Sequence, residues 1–480
     1  MKKILLFGAG KSATVLIDYL INEAANENWQ VIIADANLDL ITLKTGHHPA
    51  TQAVELDIQD AEKRKMLIAQ SDLVISMMPP ALHILIAHDC LQLNRSLLTA
   101  SYVDEAIQAL HEEAKQKGLL FLCEMGLDPG IDHMSAMKII DHIKVNGGNI
   151  SSFKSHCGGL VAPESDDNPW HYKISWNPRN VVLAGKAGAI FLENGSTVQL
   201  EYAQLFSNNP VVDISQDEHF SLSYYPNRNS LPYIDLYNLQ GIRTFVRTTL
   251  RYPNFMKGWH HLIELKLTDE TPAYETDGLS LSDFFKIHLK RHQLTQWVDD
   301  KISSDLSETR NQLAGLEKQL EHNPASLDPA TLQQASSLIQ FKVNEAQQLV
   351  ERLIYLGLQD HETLINKGFC SAADVLQFIL EKKLVLQPSD KDMIVMLHEF
   401  EYLLNGEKHT LNSSLVVKGK DHLHTAMAKT VGLPLGIAAK KMLNGEITAT
   451  GVKIPTTKDI YDPVLAALEN FGIKFQETLR

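Results

Sequence analysis

Cysteine is scarce in this chain: Cys90, Cys123, Cys157 and Cys370 are the only four among 480 residues, and they stand singly and far apart. Without a CxxC pair they supply neither a zinc knuckle nor a dense disulfide framework, a pattern that suits a reducing cytosol. An HExxH run and clustered Cys/His ligands are missing too, so no metal is expected. Long apolar runs are also lacking. The opening Met1-Lys-Lys-Ile-Leu-Leu-Phe7 meets glycine after four apolar residues, too few for a signal peptide. No stretch approaches the roughly 20 residues that span a bilayer. Positive charge is in deficit: Lys plus Arg total 44 against 58 for Asp plus Glu, a formal net charge of −14. Such a chain is poorly suited to gripping a nucleic-acid backbone. With 44% hydrophobic and 21% charged residues, disorder and fibrous repeats are excluded as well. The expectation is a cytoplasmic protein of several domains that meets neither membrane nor nucleic acid.

What is present is alternation. Ile4–Phe7, Val31–Ala34, Leu73–Ser76, Leu97–Ala100 and Leu119–Cys123 read as buried strands, with helical stretches such as Ser12–Ala25 and Val103–Gln116 between them. Strand and helix alternating in this way predict a doubly wound parallel sheet, an α/β fold. After Gly130 strand-like and turn-like pieces mix, and from about 279 to 400 the pattern becomes helical and polar. Lys301–Leu320 fits a solvated helix, with Asn323-Pro324 as the turn of a coiled-coil-like hairpin. Phe400–Leu404 and Ser414–Lys418 return to strand character, and Val452-Lys-Ile454 does so once more. His47-His48, His260-His261 and His422-x-His424 read as exposed pairs.

The first strand runs into Gly8-Ala9-Gly10-Lys11-Ser12-Ala13, a G-x-G-x-x-A turn that opens a helix. Gly8 allows the sharp turn, Gly10 lets backbone approach a pyrophosphate, and Ala13 lets the helix pack close to the sheet. Lys11 and Ser12 fall at the helix N-terminus, where unpaired N–H groups favour an anion. A nucleoside-triphosphate P-loop is excluded, because the glycine it needs five positions before Gly10 is Leu5. Strand two ends at Asp35, an acid placed to accept hydrogen bonds from the ribose hydroxyls of NAD and to repel the 2′-phosphate of NADP. Ala36-Asn37-Leu38 offers no basic replacement, and Lys44 on the next helix is the nearest cation. NAD is therefore expected, with NADP as the alternative. Asp57, after the third strand, is a candidate for the adenine edge or simply a solvated turn acid.

Three longer segments carry a family likeness: Thr99-Ala-Ser101-Tyr102, Glu124-Met-Gly-Leu-Asp128-Pro-Gly-Ile-Asp132-His133, and Cys157-Gly-Gly-Leu-Val-Ala-Pro-Glu164 with Asn168-Pro169. Together with Tyr225-Pro-Asn-Arg228 and Thr248-Thr-Leu-Arg251-Tyr252 they resemble the glutamate-forming saccharopine dehydrogenases, or saccharopine reductases. The resemblance covers about residues 1–275 and resumes near 400–480. The stretch around 298–345 departs from the fungal pattern. The likeness implies a Rossmann domain from 1–129 plus 424–480. It further implies a second α/β domain for substrate and dimerisation from 130–278 plus 395–423, and a smaller helical domain from 279–394. A homodimer is implied as well. The implied reaction interconverts saccharopine with glutamate and 2-aminoadipate 6-semialdehyde. A related carboxylated polyamine or imine dehydrogenase and a non-catalytic NAD sensor are the rival readings. Fungal members use NADP and place an arginine near the end of strand two, whereas animal members use NAD; Asp35 departs from the fungal pattern.

Carried residue by residue, the resemblance makes Ser101, Tyr102, Asp128, Cys157, Arg228, Thr249, Leu250 and Arg251 substrate contacts. Tyr102 and Asp128 are the catalytic candidates. Pro79, Ser101 and Asn177 become cofactor contacts. Arginine suits a substrate with three carboxylates because its planar fork binds each through two parallel hydrogen bonds. His133 either braces its turn or shuttles protons, and His171 and Lys173 are polar neighbours able to relay them.

Overall fold

Parallel strands buried on both faces need a near-continuous apolar run, and the first part of the chain supplies five such strands and a sixth, more exposed one at the sheet edge, Thr51–Glu55. They are β1 (Lys2–Phe7), β2 (Trp29–Asp35), β3 (Thr51–Glu55), β4 (Leu73–Ser76), β5 (Ser96–Thr99) and β6 (Leu120–Leu122). The computed structural model describes residues 1–207, 210–215, 219–297, 301, 345 and 347–479. A late strand, Gly451–Lys453, pairs in parallel with β6 and completes a seven-stranded sheet. From that edge the order is Gly451–Lys453, β6, β5, β4, β1, β2, β3. The order reverses at β1, which lies between β4 and β2, so a crevice opens beyond their C-terminal ends. This is the doubly wound α/β sheet that the alternation predicts. The predicted helix Val103–Gln116 is instead two short ones, Glu105–Gln108 and His111–Gln116.

A second, mixed sheet of ten strands follows. Its spine is β7 (Asn149–Val161), antiparallel to Asp392–Leu404 and parallel to Thr244–Arg251. The parallel register sets Cys157 beside Thr249. The strand pair expected at 400–404 and 414–418 is in fact one long hairpin, Asp392–Leu404 with Glu407–Lys418. Asn405 (φ 54°) and Gly406 (φ 86°) make its two-residue turn, both in the left-handed region such a turn requires. Helices Pro253–Glu264, Leu281–Arg291 and Ala372–Lys383 share a separate apolar cluster around Trp170 and Trp259. There His260 and His261 are half-buried rather than exposed, and burial pushes His261 down to about 3. The hairpin expected over 301–320 with its turn at 323–324 lies outside the described residues apart from Lys301. Among the described residues, no helix is long and apolar enough to cross a membrane and no His/Cys/Asp/Glu group has a metal-holding arrangement.

The two sheets are coupled near the C-terminus. Asp392, the first residue of the long hairpin, accepts the N–H groups of Ala426 at 2.5 Å and Met427 at 2.9 Å. It therefore caps helix Ala426–Leu443, which packs on the first helix, Thr14–Glu27. Two glycines make that approach possible. A Cβ at Gly432 would stand 2.8 Å from the Leu16 backbone nitrogen, and one at Gly436 would stand 2.4 Å from the Tyr19 ring. Gly432→Val should therefore destabilise the protein by roughly 1–3 kcal/mol or more, because the obstacle is backbone that cannot move aside. The expected readout is a lower melting temperature. An unchanged melting curve would contradict this packing.

Candidate active site

The glycine turn has the geometry its residues demand. Gly8 lies at φ 95°, its N–H donates to the Ala34 carbonyl at 2.9 Å, and a Cβ there would press on the Met77 backbone at 3.1 Å. Around Gly10 a Cβ would meet nothing within 4 Å, so that side is open to a ligand. Lys11 is exposed, Ser12 half-buried and Ala13 buried. Asp35 is engaged by backbone: Oδ2 accepts the Ala9 N–H at 2.7 Å and Oδ1 the Asn37 N–H at 2.9 Å. Lys44 folds back so that Nζ donates to the Gly10 carbonyl at 2.6 Å. Burial pushes its ammonium down to about 8, while the nearby Asp35 and Asp18 charges pull the other way. Asp57 is exposed and its Oδ1 accepts the Gln59 N–H, so its side chain closes a turn. Pro79 is exposed after β4. Asn177 accepts the Arg179 N–H at 2.9 Å and caps the short helix Pro178–Val182, which Arg179 ties to Asp374 and Glu270.

Ser101 follows β5 at the edge of the crevice. Its Oγ is 2.7 Å from His83 Nε2, and His83 Nδ1 is 2.8 Å from Ser76 Oγ. Burial pushes His83 down to about 4, so a neutral imidazole fixes the Ser101 rotamer.

Tyr102 donates its hydroxyl to Asp128 Oδ1 at 2.9 Å. Asp128 belongs to the turn before helix Ile131–Val145, and Gly130 in that turn cannot be replaced: its φ is 147° and a Cβ would stand 2.1 Å from the Gly126 oxygen. Arg247, from strand Thr244–Arg251, reaches the same carboxylate. Its Nη2 is 2.5 Å from Asp128 Oδ1, 2.7 Å from Asp132 Oδ2 and 3.3 Å from the Tyr102 hydroxyl. Burial raises Asp128 above the usual carboxylate range, and the Arg247 charge opposes it. Burial likewise holds the Tyr102 hydroxyl protonated, as a donor. Behind this group His133 bridges Glu124 Oε2 at 2.7 Å and the Tyr237 hydroxyl at 2.5 Å, while Glu124 Oε1 accepts the Val103 N–H at 3.0 Å. His133 is therefore a brace between three segments.

Cys157 is buried, and its thiol is pushed well upward, first by burial and then by the Asp128 and Asp132 charges. A thiol so held is no nucleophile. Arg251 is buried with Nη1 on the Leu250 carbonyl at 2.8 Å, and its Nε has no hydrogen-bond partner among the described residues. Arg228 is exposed at φ 57°, and its guanidinium lies 5.2 Å from the centre of the Tyr102 ring. Both arginines act electrostatically on the buried Tyr225, to which Thr249 hydrogen-bonds. Leu250 packs on the opposite, apolar side with Leu160 and Val395. The structure thus gathers Ser101, Tyr102, Asp128, Cys157, Arg228, Thr249 and Arg251. Lys173 is held instead by Asp167 and Asp390, and His171 by Asp166. Sequence reasoning missed Arg247, His83 and the buried tyrosines. For Arg247 a signal existed, since residues 247, 249 and 251 of one strand share a face.

Two family models match the chain in order: the saccharopine dehydrogenase NADP binding domain over residues 4–122 and the saccharopine dehydrogenase C-terminal domain over 126–473. The bovine mitochondrial alpha-aminoadipic semialdehyde synthase is 32% identical across 100% of this chain, which spans only 48% of that relative. The chain spans about half the length of the first curated relatives it matches. The Saccharomyces cerevisiae saccharopine dehydrogenase [NADP(+), L-glutamate-forming] is 30% identical, with 99% of each chain covered. The solved structure of the apo yeast L-Glu-forming enzyme aligns with a TM-score of 0.80 at 28% identity over 100% of both chains.

These findings overturn the NAD preference expected from Asp35. The matching domain model is one for NADP binding, and three fungal relatives carry NADP(+) in their names. The structure supplies the physical reason the inference failed. Two backbone N–H groups already occupy the Asp35 carboxylate, and Lys44, the nearest cation in the sequence, folds back from the next helix onto the turn. With both halves of the architecture matched in order along nearly its whole length, the chain belongs to the saccharopine dehydrogenase family.

Proposed function

We propose that this protein interconverts saccharopine with L-glutamate and 2-aminoadipate 6-semialdehyde, as a step of lysine metabolism, with NADP as the hydride carrier. The observation that carries this reading is the pair Tyr102–Asp128 with the Arg228 guanidinium 5.2 Å from the Tyr102 ring, and with Arg251, whose Nε has no hydrogen-bond partner among the described residues, acting with Arg228 on the nearby Tyr225. Saccharopine is a secondary amine bearing three carboxylates. Its oxidation moves a hydride from a carbon beside the amine; water adds to the resulting imine, and the carbinolamine breaks to release glutamate. A dinucleotide held at the glycine turn by its pyrophosphate would supply, through its nicotinamide, the hydride acceptor. Gly10 and the following helix N-terminus would hold the pyrophosphate, with Lys11, Ser12 and Pro79 alongside. Arg228 and Arg251 hold substrate carboxylates, with Cys157 and Thr249 lining the same place, while Leu250 supports it from the apolar side of the strand. Tyr102 and Asp128 receive the amine, and Asp128, raised toward neutrality by burial, exchanges its proton. The domain borders implied by the resemblance and a homodimer through the second sheet belong to the same proposal.

Reduction of NADP on adding saccharopine, followed by absorbance, tests the activity; folded protein that gives no turnover refutes it. A charge-assisted carboxylate bond contributes about 1.5–3 kcal/mol. Arg228→Ala should therefore lower kcat/KM for saccharopine by about one to two decades. The exposed position of Arg228 makes this the cleaner of the two arginine variants, and NADP affinity should be unchanged. Wild-type kinetics would remove Arg228 from the substrate site.

Lys44 is the cation that this reading assigns to the 2′-phosphate of NADP. The prediction is read by binding alone, through quenching of protein fluorescence. Because the free ammonium titrates at about 8, NADP affinity should weaken as pH rises through that value, and Lys44→Met should abolish the dependence. NAD affinity should change little in either case. Equal losses for both nucleotides would place Lys44 in the turn's structure instead.

A further inference from the structure

Two carboxylates and one guanidinium lie together in this site, and their surroundings are unequal. Asp132 is 1% exposed; its Oδ1 accepts the Gly130 N–H at 2.6 Å, and its Oδ2 binds Arg247 at 2.7 Å with His133 Nδ1 at 3.5 Å. Every contact there favours the charged form. Asp128 stands on the more open side, with a side chain 15% exposed, and meets the Tyr102 hydroxyl and the same Nη2 of Arg247. Arg247 is itself fixed by aromatic faces, with its guanidinium 4.3 Å from the centre of the Tyr233 ring. It cannot swing out to clamp a substrate carboxylate without leaving the buried Asp132 with no guanidinium against it.

We infer that Arg247 is a positioning residue for Asp128, with Asp132 as its permanent counter-ion, so that the guanidinium orients Asp128 without neutralising it. When Asp128 is ionised, one guanidinium against two carboxylates leaves a net negative charge beside the place where a cationic amine must sit. The same arrangement separates the two acids. Asp132 is held below the usual carboxylate range despite its burial, by His133, Arg247 and the Gly130 N–H. Asp128 is raised by burial and by the Asp132 charge, against the lowering effects of Arg247, Tyr102 and His133. Glu124, Cys157, His398, Tyr233 and Tyr237 also face this cluster; Glu124 is bound to His133 and Val103, burial pushes the Cys157 thiol and both tyrosine hydroxyls up, and burial pushes His398 down to about 3. Two acids pushed apart in this way take different roles. Asp132 stays an anion, and Asp128 is the one that exchanges a proton.

The inference uses the proposed saccharopine activity only for its kinetic arm. Asp132→Asn, nearly isosteric, leaves Arg247 wholly to Asp128 and removes a like charge, so the acid limb of kcat/KM should move to lower pH. Arg247→Met should move it to higher pH, and Arg247→Lys should restore much of the wild-type position. The shifts should reach about one pH unit or more. A second arm needs no turnover: the melting temperature of each protein is compared with that of its Asp128→Asn counterpart across pH 4–8. A folded-state acid raised above its unfolded value stabilises at low pH and loses that contribution as pH rises through the folded value. The pH at which the loss is complete should fall in Asp132→Asn and rise in Arg247→Met. If Arg247→Met does not fold, the direction of the Asp132→Asn shift decides alone. Limbs and melting differences that stay in place, or that move the same way in both variants, overturn the inference. Failure of wild type to oxidise saccharopine while the melting arm shifts as expected would refute the activity and leave the linkage standing.

Discussion

Burying a guanidinium is costly unless carboxylates meet it, and that requirement holds this protein's two sheets in register at the site. Arg247 is 6% exposed on a strand of the second sheet, while Asp128, Asp132 and Tyr102 all lie in connections that leave the first sheet. Satisfying one side chain therefore fixes the turn after β6, the loop after β5 and the strand Thr244–Arg251 relative to one another. The rest of the site is built on that fixed point. Cys157 and Thr249 are neighbours through the parallel register, and Arg251 emerges from the same strand face as Arg247.

What could be read from the sequence follows the range of the interactions involved. The first strands were legible because a strand buried on both faces must be an apolar run, and the turn at Gly8 because its backbone geometry admits little else. The long hairpin was seen only at its ends. Its interior, Asp392-Met-Ile-Val-Met-Leu-His398, lacks the alternation of a half-exposed strand, since Ile394 and Met396 face one apolar cluster and Met393, Val395 and Leu397 face another. The catalytic candidates came from a family likeness, and the structure adds how they are held. His83 looked like an ordinary helix residue, and only the fold sets it between Ser76 and Ser101.

Asp35 shows how an argument from one position fails. An acid at the end of the second strand repels a phosphate when its charge is free to act on one. Here the carboxylate receives N–H groups from Ala9 and Asn37, and Lys44 comes from the following helix to the carbonyl of Gly10. The local electrostatics belong to the whole turn, which a reading of residues 35–38 cannot supply.

The first sheet draws its edge strand Gly451–Lys453 and its covering helix Ala426–Leu443 from far along the chain. During synthesis, β6 and the apolar face of helix Thr14–Glu27 are made long before the segments that shield them. Until residues 426–453 emerge, a growing chain presents an open strand edge and an uncovered helix face, both of which invite wrong pairing. The long sequence separation of these contacts also makes closure of the first sheet slow. The nucleotide-binding layer, although its sequence comes first, is among the last parts of the molecule to be sealed.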